Sequence, residues 1–537
     1  MIYRSSKVLD YPQDATLTDI LLNFNFNNTP PEKPAIIDGP SGNVVFTYES
    51  LRLAVRSFAS HLQNRLGVQP GDVVAILSTT KHYFPVAVHG ILAVGGVVSA
   101  FNPLYQPKEI AHALHLSKPK HVIIEDALLE PFFHGLSLAT NLTTNPTIHV
   151  WSDHRQPTLP PQCHHLDPAT IIATGSRAFT APSLTPPAIA KTPAFISFSS
   201  GTAGLVKGVI LTHANIVANI HQQCAALAGM FAPATVLVLA VPFFHILGLA
   251  GFCCQYVCQG APIVVFRRFE VGPLLDAVER ERITHVNVVP PIALALLNAR
   301  EGRTRDLSSL RCLINAAAPL KQNIGDELCA RYGCVVTQWY GMTEASPSLA
   351  SQREDEVEGP GRGSVGRLLP GVEARVVDEE GRDCEGGAPG ELLIRGPNLM
   401  LGYMMEAGLE RARDGDGWFR TGDVGYFDES GYLFLVDRAK EMIKVKGHQV
   451  APAELEAILL GHSSVADAAV CGIHVDEDAT EYPIAYVALN ASEGSRGKRD
   501  PTAITDEIRQ YVDGQVTHYK RLKGGVHVPD AIPRNLD

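Results

Sequence analysis

A surplus of positive charge is what this sequence most plainly lacks: 45 lysines and arginines face 56 aspartates and glutamates, a formal net charge of -11. Such a chain has no basic footprint for nucleic acid or an anionic membrane, so any polyanionic ligand must be gripped by a local site. A cysteine set for metal is missing too. The ten cysteines are scattered, and the closest group, Cys253, Cys254 and Cys258, has no nearby histidine and no second CxxC pair. They read as buried thiols of a reducing compartment. The start, Met1 to Asp10, lacks a basic end followed by an apolar core, so no secretory signal is expected. The expected location is intracellular, cytoplasmic or peroxisomal.

Charge of either sign is absent from Val236 to Phe266, a run that on length alone would span a bilayer. Pro242, His245, Gly248, Gly251, Gln255 and Gly260 punctuate it, and its apolar content divides into strand, loop, helix and strand. Buried cores of parallel sheets make such runs, and no transmembrane segment is expected. What is present is ordinary globular material, 45% apolar and 19% charged, in 537 residues. That length exceeds the roughly 250 to 300 residues at which single cores stop growing, so two or more domains are expected.

Short β-rich runs alternate with helical patterns: Asp72 to Leu77, then Ala87 to Val94; His121 to Glu125; Ala194 to Phe198, then Asn215 to Ala228. The alternation continues through Val236 to Val241, Ile263 to Phe266, Leu274 to Glu281, Val286 to Val289 and the helix Lys321 to Tyr332. It predicts α/β architecture, parallel sheets covered by helices. From Gly361 to Gly431 the chain turns Gly- and Pro-rich, with short runs such as Ala374 to Val377 and Glu391 to Ile394, which suits a small antiparallel or barrel-like subdomain. A basic cluster at Asp437 to Gly447 marks the expected boundary, dividing a domain 1–436 from a smaller α+β domain 437–537 that holds the helix Pro452 to Leu460. Pro157 to Thr192, full of Pro, Thr and Ala, reads as a surface excursion.

Four segments carry candidate chemistry. Ser199-Ser200-Gly201-Thr202-Ala203-Gly204-Leu205-Val206-Lys207-Gly208 sits between two predicted strands. Its glycines let the backbone fold around an anion, its hydroxyls donate hydrogen bonds and its lysine supplies a point charge. It is not a Walker A sequence, because Lys207 is followed by glycine and a strand comes next. Taken alone, it suits a plain Gly-rich hairpin as well as a nucleotide site. The others are Gln338-Trp339-Tyr340-Gly341-Met342-Thr343-Glu344 at a strand end, Trp418-Phe419-Arg420-Thr421-Gly422-Asp423, and Asp437-Arg438-Ala439-Lys440-Glu441-Met442-Ile443-Lys444-Val445-Lys446-Gly447. Ligands sit at the carboxyl ends of parallel strands, and a carboxylate beside a phosphate loop suits Mg²⁺. Each segment by itself is also ordinary loop punctuation.

Together and in this order, the four resemble the motifs of the adenylate-forming superfamily of acyl-CoA synthetases, luciferases and peptide-synthetase adenylation domains. The likeness is strongest to the coumarate CoA ligase and luciferase branch, through Asn102-Pro103-Leu104-Tyr105, Pro242-Phe243-Phe244-His245, Ala317-Ala318-Pro319-Leu320, Gly390-Glu391-Leu392 through Arg395-Gly396-Pro397, and Val450-Ala451-Pro452-Ala453-Glu454-Leu455-Glu456. The resemblance implies a large N-terminal domain of two α/β layers and a small β-barrel, closed by a mobile lid hinged near Lys440. It implies an ATP-dependent acid:CoA ligase, with ATP, Mg²⁺ and coenzyme A, acting on a small-molecule carboxylic acid as monomer or homodimer. An enzyme that passes its acyl group to a carrier protein or, as luciferase does, to oxygen, and a weakly active or non-catalytic relative, are the alternatives.

By the same resemblance, Ser199, Ser200, Gly201, Thr202, Ala203 and Lys207 hold the β and γ phosphates, and Ala317, Gln338 and Tyr340 border the adenine. Thr343 contacts the α-phosphate, Glu344 the Mg²⁺, and Asp423 with Arg438 the ribose. Lys440, Lys444 and Gln449 match positions tied to the hinge, adenylate contact and thioester formation; Arg268, Lys446 and Gly447 match the CoA side. A solvated basic face is the bland reading of the three lysines. His245 matches the histidine that shapes the acyl pocket, with Leu247, Gly251 and Trp339 as further lining.

The sequence also departs from the pattern. Ala203 replaces a hydroxyl residue, and Val206 stands where proline is common. Ala531-Ile532-Pro533-Arg534-Asn535-Leu536-Asp537 resembles the lead-in to a last motif whose Gly-Lys pair would come next. Without that lysine the chain as written is expected to adenylate poorly, by on the order of 10²-fold to 10³-fold, while still converting a supplied acyl-adenylate. Leu247 and Gly251 replace polar residues of coumarate ligases, and Trp339 replaces a glycine, so a compact aryl or medium-chain acid is expected instead of a hydroxycinnamate.

Overall fold

The structure, a computed structural model, describes the chain except residues 24–27, 141, 143, 153–158, 200–205, 231–236, 240, 300–304, 406–407, 439–440, 446–447, 476–479, 491–500, 517, 530–531 and 533–537, and the side chains of 238, 239, 444, 448, 449, 501 and 502. The described residues form two compact units. The larger, Tyr3–Glu373 with Arg395–Phe419, is built on two nine-stranded sheets.

The first sheet runs, edge to edge, Gly408–Glu410, Gly402–Met405, Lys207–Thr212, Pro193–Ser199, Val97–Phe101, Val73–Leu77, His121–Glu125, Thr147–Trp151 and Cys163–Leu166. Val73–Leu77 pairs in parallel with both Val97–Phe101 and His121–Glu125; Val97–Phe101 is buried throughout, and the other two are buried except for one end residue each. That is why these strands read as continuous apolar runs and not as alternating ones. Within the expected surface excursion, Pro157 to Thr192, lie the edge strand Cys163–Leu166 and two short helices, Pro168–Thr174 and Pro186–Ile189, each opened by a proline at its first position. Proline lacks only an N–H that a first helical turn leaves unpaired anyway.

The second sheet runs Arg367–Leu368, Ser348–Ser351, Val335–Gly341, Cys312–Asn315, His285–Val288, Leu237–Leu239, Ile263–Val265, Pro34–Asp38 and Val44–Thr47. The uncharged run thus divides as its punctuation predicts, into the strand Leu237–Leu239, a π-helix Leu247–Tyr256 and the strand Ile263–Val265. Among the described residues no helix is long and apolar enough to cross a membrane. Alternation along these strands divides their side chains between two faces. Val286, Val288, Leu313 and Val336 join one core with Leu274, Leu275, Val278 and Leu328 of the covering helices.

The Gly- and Pro-rich region has two fates. Glu373–Val377, Gly390–Arg395, Phe419–Phe427 and Leu433–Arg438 are neighbours in one sheet, whereas Gly402–Met405 and Gly408–Glu410 extend the first nine-stranded sheet. The smaller unit takes in Ala374–Ile394 and Arg420–Asp537. Position 436, the expected boundary, falls inside the strand Leu433–Arg438. Beyond it lie the ribbon Ile443–Val445 with His448–Val450, the helices Pro452–Leu459 and Pro501–Asp513, and a three-stranded sheet around a core of Val450, Leu455, Leu459, Val487 and Ile508.

Three histidines of the larger unit are buried as neutral rings. Burial pulls His89 and His213 down to about 4, and burial, then the rings of His121, His164 and His61, pull His149 down to about 3. The unfolded chain therefore binds protons that the folded one does not, and this stability is present above pH 6.5 and lost as pH falls from there towards 3. Denaturant melts between pH 7.5 and 4.5 should show a loss on the order of several kcal/mol, with His149→Gln flattening the slope. A flat profile for the unaltered protein would contradict this.

Candidate functional site

Strands Pro193–Ser199 and Lys207–Thr212 pair antiparallel with Ser199 directly opposite Lys207, so the Gly-rich segment joins the two arms of a hairpin. Ser200, Gly201, Thr202 and Ala203 lie outside the described residues, but both ends of the loop are in place. At one end Ser199 Oγ donates to Glu344 Oε1 at 2.9 Å. At the other, Lys207 Nζ stands 4.8 Å from the ring centre of Tyr403, whose hydroxyl donates to the same Glu344 oxygen at 3.0 Å. A lysine over an aromatic face is held by the ring quadrupole. Loop base, lysine and carboxylate are thus linked through Tyr403.

Tyr403 carries no signal in the sequence, and it reaches the site because Gly402–Met405 pairs with Lys207–Thr212, Tyr403 opposite Val209. Burial, and then the charge of Glu344, push its phenol well above the ordinary range, so it stays a hydrogen-bond donor. Glu344 is 7% exposed and lies in the short 3₁₀ turn Thr343–Ala345 after the strand Val335–Gly341. Buried amides hold that turn: Asn398 Nδ2 donates to Ala345 O and to Ser348 O, both at 2.9 Å, and Asn219 Nδ2 donates to Ser348 O at 2.9 Å. Gly341 is required there, since a Cβ would stand 2.1 Å from Pro347 O. Thr343 is half-buried beside Glu344.

On the side assigned to adenine, Gln338 Oε1 accepts from Leu320 N at 3.0 Å, and Gln338 N donates to Gln352 Oε1 at 3.0 Å. Gln338 borders a crevice of about 250 Å³ with Leu320, Lys321 and Gln352. Ala317 follows the neighbouring strand Cys312–Asn315, exposed, at φ +71°. A non-glycine residue there is held against its own preference, and such strain collects at functional sites. Tyr340 is buried, 8% exposed.

On the acyl side, His245 is half-buried just before the π-helix, and its Nδ1 accepts from Leu247 N at 3.2 Å. In the neutral ring Nε2 then carries the proton. Leu247 and Gly251 are buried on the helix and share a face: a Cβ at Gly251 would meet Leu247 Cδ1 at 3.3 Å. Trp339 is 7% exposed, with Nε1 donating to Gln352 O at 3.1 Å. Arg268, assigned to CoA, is exposed after the strand Ile263–Val265.

In the smaller unit Asp423 and Arg438 are cross-strand partners, with Arg438 Nε 2.8 Å from Asp423 Oδ1. Asp423 is 7% exposed and its N donates to Thr421 Oγ1 at 3.0 Å. Lys444 and Gln449 stand opposite each other in the ribbon. Their side chains, and Lys440, Lys446 and Gly447, lie outside the described residues. No cluster of three or more His, Cys, Asp or Glu suited to a metal occurs among the described residues.

Comparison with known proteins bears on the whole chain. The family described as AMP-binding enzyme matches residues 24–404, and that described as AMP-binding enzyme C-terminal domain matches residues 454–536. A probable 4-coumarate:CoA ligase of Dictyostelium discoideum is 34% identical over 482 residues, covering 88% of this chain and 85% of its own length. A 4-coumarate:CoA ligase of Oryza sativa subsp. japonica is 33% identical over 545 residues, covering 97% and 91%. Among solved structures, ATP-bound MatB from Rhodopseudomonas palustris aligns with a TM-score of 0.82 at 26% identity, covering 97% and 96% of the two chains. A benzoate CoA ligase from Burkholderia xenovorans LB400 aligns with a TM-score of 0.80 at 25% identity, covering 97% of each.

Proposed function

Since the chain belongs to the AMP-binding enzyme family and is an acid:CoA ligase that uses ATP and coenzyme A, we propose that its substrate is a compact aryl or medium-chain carboxylic acid. The reaction has two steps. A carboxylate oxygen bonds to the α-phosphorus as the bond to pyrophosphate breaks. The CoA sulfur then bonds to the acyl carbon as the bond to AMP breaks, the thiol proton leaving to solvent or a base.

The first step brings two anions together, so it needs cations and donors aimed at the developing charge. The link from Lys207 through Tyr403 to Glu344 and Ser199 is the observation that carries this reading. It supports phosphate binding by the Gly-rich loop and Lys207, with Thr343 beside the α-phosphate. Mg²⁺ fits the donor set: Ser199 and Tyr403 both engage Oε1 of Glu344, and Mg²⁺ needs only one or two carboxylates when phosphates and water complete its shell. When bound it neutralises phosphate charge. Asp423 and Arg438 are assigned to the ribose, Ala317, Gln338 and Tyr340 to the adenine. Lys440, Lys444 and Gln449 are assigned to the lid, and Arg268, Lys446 and Gly447 to CoA.

The compact-acid reading rests on Leu247, Gly251 and Trp339 as pocket lining with His245 at its mouth. An acid panel read by AMP release tests it. Trp339→Gly should extend activity to longer or bulkier acids by roughly tenfold or more in kcat/KM; an unchanged length profile counts against it. Omitting CoA should abolish thioester formation, and product formed only with a carrier protein would support the carrier-loading alternative.

A further inference from the structure

Two walls of the larger unit descend from the proposed acyl pocket and end in unpaired amides. One is the π-helix. In such a helix residues four to five apart share a face, so the stripe bearing Leu247 and Gly251 continues to Gln255 and Tyr256. Gly251 is buried, yet among the described residues a Cβ there would meet within 4 Å only Leu247 Cδ1. Free space therefore adjoins this stripe inside the protein. Gln255 is 4% exposed, and among the described residues its Nε2 has no hydrogen-bond partner.

The other wall is the second sheet. Asn287, Ile314 and Thr337 are aligned across three parallel strands, and Trp339 stands two residues further along on the same face. This face is opposite the one that Val286, Val288, Leu313 and Val336 turn to the helix core. Asn287 is 0% exposed, and among the described residues neither Nδ2 nor Oδ1 has a well-aligned hydrogen-bond partner, the Tyr256 hydroxyl being the polar group within its reach. The walls meet at Tyr256, whose phenol burial pushes well up while a side-chain interaction with the Asn287 amide pulls it partly back. A buried amide group without a partner is costly, so a ligand that meets it gains affinity.

We propose that Asn287, with Gln255 on the facing helix, binds an uncharged hydrogen-bonding group, a hydroxyl or carbonyl, at the end of the acid remote from its carboxyl. This rests on the compact-acid reading and deepens it: apolar lining at Leu247 and Gly251, polar recognition below. The group is uncharged because Leu247–Tyr256, His285–Val288, Cys312–Asn315 and Val335–Gly341 contain no Lys, Arg, Asp or Glu. The ionisable ring on this face of the strand, His285, is committed to Glu354 Oε1 at 2.8 Å. Among the described residues of these elements a charged tail meets no counter-ion, and an all-hydrocarbon tail leaves the amides unmet.

Matched acids test the assignment: para-hydroxybenzoate against para-methylbenzoate, and a series of medium-chain acids against counterparts with a terminal hydroxyl replacing the methyl. The unaltered protein should favour a hydroxyl member in kcat/KM, and Asn287→Leu should shift that ratio towards the methyl member by about 10²-fold, chiefly through KM. Asn287→Ser, which keeps a donor and an acceptor, should restore part of the preference. Preference of the unaltered protein for the methyl member in every pair overturns the assignment even where the leucine variant does not fold. An unchanged ratio in a folded, active leucine variant also overturns it, as when ordered water alone meets the amides. Activity on neither member of any pair, with AMP released on other acids, overturns the compact-acid reading and this assignment together.

Discussion

Replacement of Glu344 by glutamine should slow acyl-adenylate formation by about 10²-fold to 10³-fold while leaving the fold intact. A carboxylate only accepts hydrogen bonds, and the glutamine carbonyl oxygen can still accept from Ser199 Oγ and Tyr403 OH, now at 2.9 and 3.0 Å. Shape and buried contacts survive; the negative charge does not. A divalent cation shared between this side chain and the triphosphate would lose its protein anchor, so the Mg²⁺ dependence should move to higher concentration. Pyrophosphate release titrated against Mg²⁺, with a thermal melt as control, decides it. A rate within a few fold of the unaltered protein at every Mg²⁺ concentration would remove Glu344 from the metal.

The second large effect belongs to Asp423. Its carboxylate is nearly buried and is held by Arg438 at 2.8 Å, with its own N–H tied to Thr421. Two hydroxyls of a ribose donating to such a group form charge-assisted bonds, and hydrogen bonds to charged groups contribute about 1.5–3 kcal/mol each. Asp423→Ala should therefore raise KM for ATP by about 10²-fold. Arg438 is half-exposed, so losing its partner costs little stability. The control is 2′-deoxy-ATP: the unaltered protein should discriminate against it and the alanine variant should not. Discrimination that persists in the variant would place the ribose elsewhere.

The candidate segments were more legible than the geometry that joins them. Ser199, Lys207 and Glu344, the residues proposed for the phosphates and the metal, stand in recognisable segments because a phosphate loop demands glycine, hydroxyl and lysine close together in sequence, and a local demand leaves a local trace. Tyr403 does not, since its place follows from a strand pairing across nearly 200 residues, and no local pattern in the Gly- and Pro-rich region encodes the partner. The parallel strands were readable as apolar runs, whereas the π-helix was readable only as a helix, because i→i+5 bonding has no periodic signature over ten residues. Asn287 lies within the run Val286 to Val289, where a lone amide among valines carries no local signal; only its full burial in the fold sets it apart.

The hairpin that brings in Tyr403 has one more consequence. Without it, Lys207–Thr212 would be the terminal strand of its sheet, and its run Val209, Ile210 and Leu211 would offer bare amides and carbonyls to any passing chain. By pairing there, Gly402–Met405 gives one segment two duties, shielding a sticky border and presenting a phenol to Glu344. A lesion that frees this ribbon would surface first as clumping of the protein, with loss of turnover following from the same event.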